Sequence, residues 1–356
     1  MNIEQLVHIA KDLVAGDKGL LAMDESNPTC NNRFAEYGIP QTEEKRRTYR
    51  ELLVTTPHLA ESINGAILFD ETIRQRLRDG TPFAKALTAR GIIPGIKVDT
   101  GAKDLAGHPR ESVTEGLDGL RDRLKEYFHM GARFAKWRAV IRVNEVLPSR
   151  GCMEANAHAL SRYAALCQEV GLVPIVEPEV LMEGDHAMDR SAVVTEEVLR
   201  AVFSQLYTQR VMLEGLILKP NMVLPGLECT RQESPDEVAD GTVNCLLRAV
   251  PAAVSGIAFL SGGQSSQMAS ARLNAMNIRF RSCVPWPLSF SFARAIQQPA
   301  LQIWQGKNSL ELEAQQALSH RVRCNAAACR GEYTVEMERA RDQGTYGELS
   351  ATRKVL

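Results

Sequence analysis

Eight short segments that are apolar or rich in strand-forming residues recur along the chain, at 19–24, 65–70, 92–99, 134–140, 172–179, 215–219, 256–263 and 287–292. Most are separated by stretches with helical spacing. Residues 154–170 place apolar side chains three and four apart, and 193–213, 237–250 and 264–278 do the same. Thr42, three residues ahead of Lys45, and Thr81-Pro82 read as helix starts. Alternation of strand and helix requires a parallel sheet covered by helices. Eight such units predict an α/β fold closed into a single-domain (β/α)8 TIM barrel, rather than an open sheet. At 356 residues the chain is longer than the ~250 usual for that fold. The excess is assigned to an amphipathic N-terminal helix over 1–13, a C-terminal helical region from Ser309, and a tail over 331–356. That tail carries Gly331, Gly344 and Gly347 among charges, so it is expected to be mobile, either as a frayed end or as a flexible cover for a site. No internal repeat, low-complexity run or linker divides the sequence, so 1–356 is read as one domain. No GxGxxG follows the first segment, which argues against a dinucleotide-binding fold.

A net charge of −1 gives no global attraction to nucleic acid or to a membrane, so any anionic ligand must be held by local basic groups. Residues 1–13 include Glu4, Lys11 and Asp12 and lack the apolar centre of a signal peptide, and no stretch reaches the length of a membrane span. The eight cysteines form no CxxC pair and no zinc-like cluster with histidine, which predicts reduced thiols and a cytoplasmic setting. No HExxH or EF-hand pattern is present, so neither a metal nor a cofactor is expected. His158 and His186 read as structural or solvent-facing, and Trp137, Trp286 and Trp304 as packing residues.

The informative departures are charges inside segments that should be apolar. Leu218-Lys219-Pro220 delivers a lysine at the end of a strand that Pro220 must terminate, because proline has no N–H for the ladder. Taken alone, such a lysine is most simply one that snorkels to water. A desolvated lysine, however, is a nucleophilic amine able to form a Schiff base with a carbonyl. Lys97 and Asp99, Lys136 and Arg138, and Glu177 and Glu179 are each two residues apart, so each pair points to one face of its strand. Asp24 ends the first segment in the same way. A single such pair is compatible with a structural ion pair. Together they place these groups at one barrel mouth, the end where the active sites of this fold lie. Ser261-Gly262-Gly263 ends the seventh segment before a helix, an arrangement suited to an anion, and Arg294 follows the eighth.

These motifs carry a resemblance. Leu21-Ala22-Met23-Asp24-Glu25-Ser26, Gly95-Ile96-Lys97-Val98-Asp99, Phe134-Ala135-Lys136-Trp137-Arg138, Val176-Glu177-Pro178-Glu179, Leu218-Lys219-Pro220-Asn221-Met222 and Leu260-Ser261-Gly262-Gly263-Gln264 occur in this order. From Gly19 to about Leu301 the chain resembles class I fructose-bisphosphate aldolase. The resemblance implies that Lys219 forms the Schiff base and that Glu177 is the acid/base group for carbinolamine formation and dehydration. Glu179 would shape the charge around the lysine, and Asp24 and Lys136 would lie near the C4 hydroxyl of the substrate. Ser261, Gly262 and Arg294 would hold the C1 phosphate, and Arg33, Lys97 and Arg138 the other phosphate. It also implies a metal-independent homotetramer.

Ala293 before Arg294 is similar to plant-type and bacterial members, whereas animal members have glycine there. The chain ends in Val355-Leu356 rather than the tyrosine found in many members, and Tyr346 is its last tyrosine. Asn27-Pro28 also differs from the small residues of animal members. The activity implied is reversible cleavage of fructose 1,6-bisphosphate to dihydroxyacetone phosphate and glyceraldehyde 3-phosphate. It would serve glycolysis and gluconeogenesis, with sedoheptulose 1,7-bisphosphate as a Calvin-cycle substrate. The alternatives are another Schiff-base aldolase and a non-catalytic scaffold that keeps the fold.

Overall fold

The computed structural model describes residues 3–344. Eight parallel strands close into a barrel: β1 Gly19–Ala22, β2 Ile63–Leu68, β3 Ile93–Lys97, β4 Phe134–Ile141, β5 Val173–Val180, β6 Ile217–Leu218, β7 Gly256–Phe259 and β8 Leu288–Phe292. Each pairs with the next, and β8 closes on β1 with Leu20 beside Ser291. All eight expected strands are present, within a few residues of their anticipated ends. β6 is the shortest. A 3-10 turn over Leu213–Gly215 precedes it and Pro220 follows it, so only Ile217 and Leu218 have full ladder partners. The Lys219 N–H still donates to Val176 O at 2.9 Å. Beyond Pro220 the Asn221 side chain takes over, accepting from Val180 N–H at 3.0 Å.

Around the barrel lie α1 Ile3–Leu13, α2 Asn27–Ala35, α3 Glu43–Val54, α4 Asp70–Arg74, α5 Phe83–Ala89, α6 Leu120–His129, α7 Arg150–Val170, α8 Met188–Thr208, α9 Pro235–Ala249, α10 Ser266–Phe280, α11 Arg294–Trp304, α12 Glu311–Arg330 and α13 Val335–Gly344. Thr42 caps α3, its side chain accepting from Lys45 N–H at 3.2 Å, as its spacing predicts. Pro82 precedes the first turn of α5. A hairpin of Gly101–Asp104 against Ser112–Glu115, in the loop after β3, has no strong strand pattern and was not anticipated. The segment expected to be a mobile tail from Gly331 is a helix over Val335–Gly344, and residues 345–356, including Tyr346, lie outside the described residues. No described helix is long and apolar enough to cross a membrane. Trp137, Trp286 and Trp304 are buried packing residues, His158 is exposed and His186 is buried.

What positions the site is the two-residue period of the strands. On β1, β4, β5 and β6 the first inward side chains are apolar: Leu20 and Ala22, Phe134, Val173 and Ile175, and Ile217. They form one cluster with Leu6, Ala10 and Leu13 of α1, whose spacing puts them on one face. The first helix therefore plugs the N-terminal end of the barrel. The same parity carried towards the C-terminal end yields Asp24, Lys136 and Arg138, Glu177 and Glu179, and Lys219. The intervening residues, such as Leu21, Trp137, Val176 and Leu218, pack outward against the helices.

Gly95 belongs to this inward face, opposite Phe134 in the register of β3 and β4. A Cβ there would stand 2.2 Å from the Phe134 ring. Gly95→Ala is expected to destabilise the fold by about 1–3 kcal/mol, the usual range for overpacking a filled core. Urea unfolding monitored by circular dichroism measures this. Phe134→Leu in the Gly95→Ala background should recover part of the loss, and absence of any recovery would contradict the proposed packing.

Candidate active site

The C-terminal mouth of the barrel opens into a cleft of about 1200 Å³. Every residue nominated from the sequence lines it: Asp24, Arg33, Lys97, Lys136, Arg138, Glu177, Glu179, Lys219, Ser261, Gly262 and Arg294. Their roles differ with their surroundings.

At the floor, four charges alternate in sign. Lys219 Nζ is 3.1 Å from Glu177 Oε1, Lys136 Nζ is 3.3 Å from Glu177 Oε2, and Lys136 Nζ is 2.7 Å from Asp24 Oδ2. All four residues are buried, with Lys219 only 4% exposed. The snorkelling reading of Lys219 therefore fails, since its amine is turned inward onto a carboxylate. Burial of this kind costs several kcal/mol per ion and persists only with close partners. Burial alone would push the Asp24 carboxyl up, but the charges of Lys136, Lys219 and Lys97 outweigh it and hold the pKa at about 2. Burial likewise opposes ionisation of Glu177, yet Lys136, Lys219 and Arg138 keep its pKa below the usual value. For Lys136 burial favours the neutral amine, and Asp24, Glu177 and Asp99 reverse this and raise its pKa. Glu177 Oε2 is buried and accepts no hydrogen bond from the protein. This buried carboxylate oxygen, beside the Lys136 ammonium but without a hydrogen bond, keeps an open acceptor position towards the cleft.

Glu179, two residues on, faces a different partner: it pairs diagonally with the Arg138 guanidinium, since the register sets Arg138 beside Glu177 and Glu179 beside Val140. Lys97 Nζ is held by Asp99 Oδ1 at 2.5 Å, and Asp99 Oδ2 accepts from the Arg138 N–H at 3.2 Å. Arg33 donates to Glu25 Oε1 at 2.5 Å and to Gln297 and Gln298. Glu25 also binds the buried Arg50. Three of the four candidate phosphate-binding cations are thus already bonded to carboxylates. Arg294 is the freest. It is exposed, and its guanidinium makes a single bond to Gly262 O at 3.0 Å.

The Ser261-Gly262-Gly263 turn leads into α10, whose N-cap is Ser265. Gly262 has a φ of +54°, which L side chains rarely adopt, and a Cβ there would meet Met182 Sδ at 3.0 Å. The next residue, Gln264, accepts from Arg272 Nη1 at 2.9 Å, so the turn is tied to the helix behind it. A fifteen-residue helix directed into the cleft favours an anion at this end. A second helix N-terminus comes from α2, where Ser26 is the N-cap and lies 3.0 Å from the Thr29 hydroxyl. Both line the cleft. Sequence reading missed Ser26 and Thr29, although serine before Asn-Pro is a recognisable helix start. It also missed Ser291, whose buried hydroxyl has no protein partner and whose inward parity on β8 was legible beside Ser289.

Comparison with known proteins points to one family. The sequence model of the family described as fructose-bisphosphate aldolase class-I matches residues 5–350. A probable fructose-bisphosphate aldolase class 1 of Xanthomonas campestris pv. campestris is 56% identical over 334 residues, which cover 94% of this chain and 99% of that protein. The cytosolic fructose-bisphosphate aldolase 6 of Arabidopsis thaliana is 48% identical over 93% of this chain and 92% of its own length. Among solved structures, fructose-bisphosphate aldolase of Plasmodium falciparum, crystallised with TRAP and a small-molecule inhibitor, superposes with a TM-score of 0.91. It is 44% identical, with 93% of this chain and 95% of that chain covered. With the family matched over nearly the whole sequence, and a closed barrel whose mouth presents a buried lysine on a carboxylate, the chain belongs to the class I fructose-bisphosphate aldolases, a family of lyases.

Proposed function

We propose that this protein cleaves fructose 1,6-bisphosphate reversibly to dihydroxyacetone phosphate and glyceraldehyde 3-phosphate through a Schiff base on Lys219. The observation that carries the reading is the buried contact of Lys219 Nζ with Glu177 at 3.1 Å. Lys219 passes a proton to Glu177, 3.1 Å away, and the neutral amine attacks the C2 carbonyl of the open-chain ketose. Glu177 moves the protons that convert the resulting carbinolamine to an iminium ion and water. The positively charged iminium is the electron sink that carbon–carbon cleavage requires. Asp24 and Lys136 hold the C4 hydroxyl, and Glu177 Oε2, which accepts no protein hydrogen bond, receives its proton. The C3–C4 pair then flows into the iminium, the C4 aldehyde departs, and protonation of the enamine at C3 followed by hydrolysis frees the second triose. Glu179 acts by fixing Arg138, and so sets the charge beside the reacting groups.

Two phosphates call for two anion sites. Ser261, Gly262 and Arg294 at the start of α10 receive the C1 phosphate. The N-terminus of α2, with Lys97, Arg33 and Arg138, receives the other. A non-catalytic scaffold would have no use for four buried charges that each cost several kcal/mol to desolvate. We also infer a cytoplasmic homotetramer, supported by the family resemblance and by eight cysteines that are all free thiols.

Borohydride reduction in the presence of dihydroxyacetone phosphate, followed by peptide mass spectrometry, is expected to place one covalent adduct on Lys219. An adduct on another residue, or none in active enzyme, would sink the assignment. Lys219→Ala should abolish turnover. Arg294→Ala should raise KM by roughly 10- to 100-fold with kcat largely kept, as expected for loss of one charge-assisted contact worth ~1.5–3 kcal/mol. Steady-state kinetics on both variants checks this, and a fall in kcat alone for Arg294→Ala would remove it from the phosphate site.

A further inference from the structure

One cluster of ligand-type side chains takes no part in the chemistry above. His320 and Cys324 stand one turn apart on α12, and Glu338 reaches them from α13. None of the three lines the catalytic cleft. His320 Nε2 is 3.5 Å from Cys324 Sγ and 3.8 Å from Glu338 Oε2. All three donor atoms lie within 4.8 Å of one another. Zinc takes nitrogen, sulfur and oxygen donors at about 2.0–2.3 Å in a tetrahedron, which sets their mutual separations at about 3.4–3.6 Å. The two separations from His320 Nε2 are therefore close to those of such a site before any ion binds, and the third pair lies within 4.8 Å.

The surroundings fit the same use. Residues four apart on a helix share a face, so His320 and Cys324 can chelate without backbone movement. Imidazole, thiolate and carboxylate together suit zinc rather than calcium or magnesium. Glu338 is held in place from behind: Arg321 Nη1 donates to its two oxygens at 2.5 and 2.6 Å, and Tyr333 OH donates to Oε1 at 2.8 Å. Such outer partners orient a ligand and leave its other lone pairs available. Cys324 is fully buried, whereas the side chains of His320 and Glu338 are 12% and 17% exposed. An ion can thus enter past the imidazole and carboxylate and come to rest on the sulfur.

We propose that His320, Cys324 and Glu338 form a zinc site that clips α13 onto α12, with water as the fourth ligand. On binding, the Cys324 S–H bond is exchanged for S–Zn and the proton passes to solvent, with no change of oxidation state. The Arg321 charge beside the ion makes the affinity weaker than that of an all-cysteine structural site.

Titration of the metal-free full-length chain with Co²⁺ provides the test. One ion per chain should bind with a thiolate-to-metal charge-transfer band in the near ultraviolet, and added Zn²⁺ should displace it. Zn²⁺ should also raise the midpoint of thermal unfolding in proportion to site occupancy. Cys324→Ser should lose the charge-transfer band, and His320→Gln, a smaller change to the fold, should weaken binding at least about tenfold. No band at saturating Co²⁺ would overturn the proposal. A band that persists in Cys324→Ser would also do so, since another thiol, such as the exposed Cys283 or the half-buried Cys229, would then be its source. Equal affinity in His320→Gln would exclude His320 as a ligand and overturn the site as drawn.

Discussion

A closed parallel barrel has an interior that its own strands must fill, and the two-residue period of a strand leaves no freedom about which side chains do so. In this protein the inward positions divide by height. The lower ones are apolar and join α1 in a sealed plug around Leu13, Phe134 and Ile217. The upper ones are Asp24, Lys136, Glu177 and Lys219, whose alternating charges sum to zero. The plug makes the lower end dry and rigid, and the dryness makes each charge above it dependent on its neighbours. A site in water would have no such coupling. The acid held at about 2 and the lysine held protonated are two expressions of one arrangement.

Around this chain, ion pairs do the positioning. Glu25 engages Arg33 and Arg50 at once, Asp99 accepts from Lys97 and from the backbone of Arg138, and Glu179 fixes Arg138. The cleft is rich in cations yet not a reservoir of loose positive charge. Most of its basic groups arrive with a partner that defines where they point, and Arg294 alone among the nominated cations is left at the surface with only a backbone carbonyl. A rigid lining with one adaptable arm suits a ligand whose two ends must be held while its middle reacts.

Much of this was legible in the sequence, and physical reasons separate what was from what was not. Strand parity is local, so Lys136 with Arg138 and Glu177 with Glu179 announce their shared face directly, and the proline after Lys219 marks where its strand must stop. Helix starts such as Thr42 are equally local. The pairing partners are not. That Glu177 meets Lys219 and Lys136, while Glu179 meets only Arg138 among the nominated cations, depends on the register of three strands rather than on any pattern within one. The hairpin at 101–104 and 112–115 lacks alternation, because its first strand is largely exposed and buries no apolar face. Helix α13 went unread for a related reason: Arg321, Tyr333 and Glu338, not a hydrophobic stripe, dock it. Charge pairing over such distances leaves no periodic trace.

Closure of the barrel joins β1 to β8, and Ser289 donates to the carbonyl of Lys18 across 271 positions of sequence. The first strand of the chain therefore waits unpaired on that side until nearly three hundred residues have followed it. Asp24 comes from that early strand, and its lysine and glutamate partners come from strands four, five and six. All four charges are present in the chain once Lys219 has been added, yet the barrel that buries them closes only when β8 pairs with β1. Shielding of these charges from water therefore waits on the pairing most distant in sequence, the one between the last strand and the first.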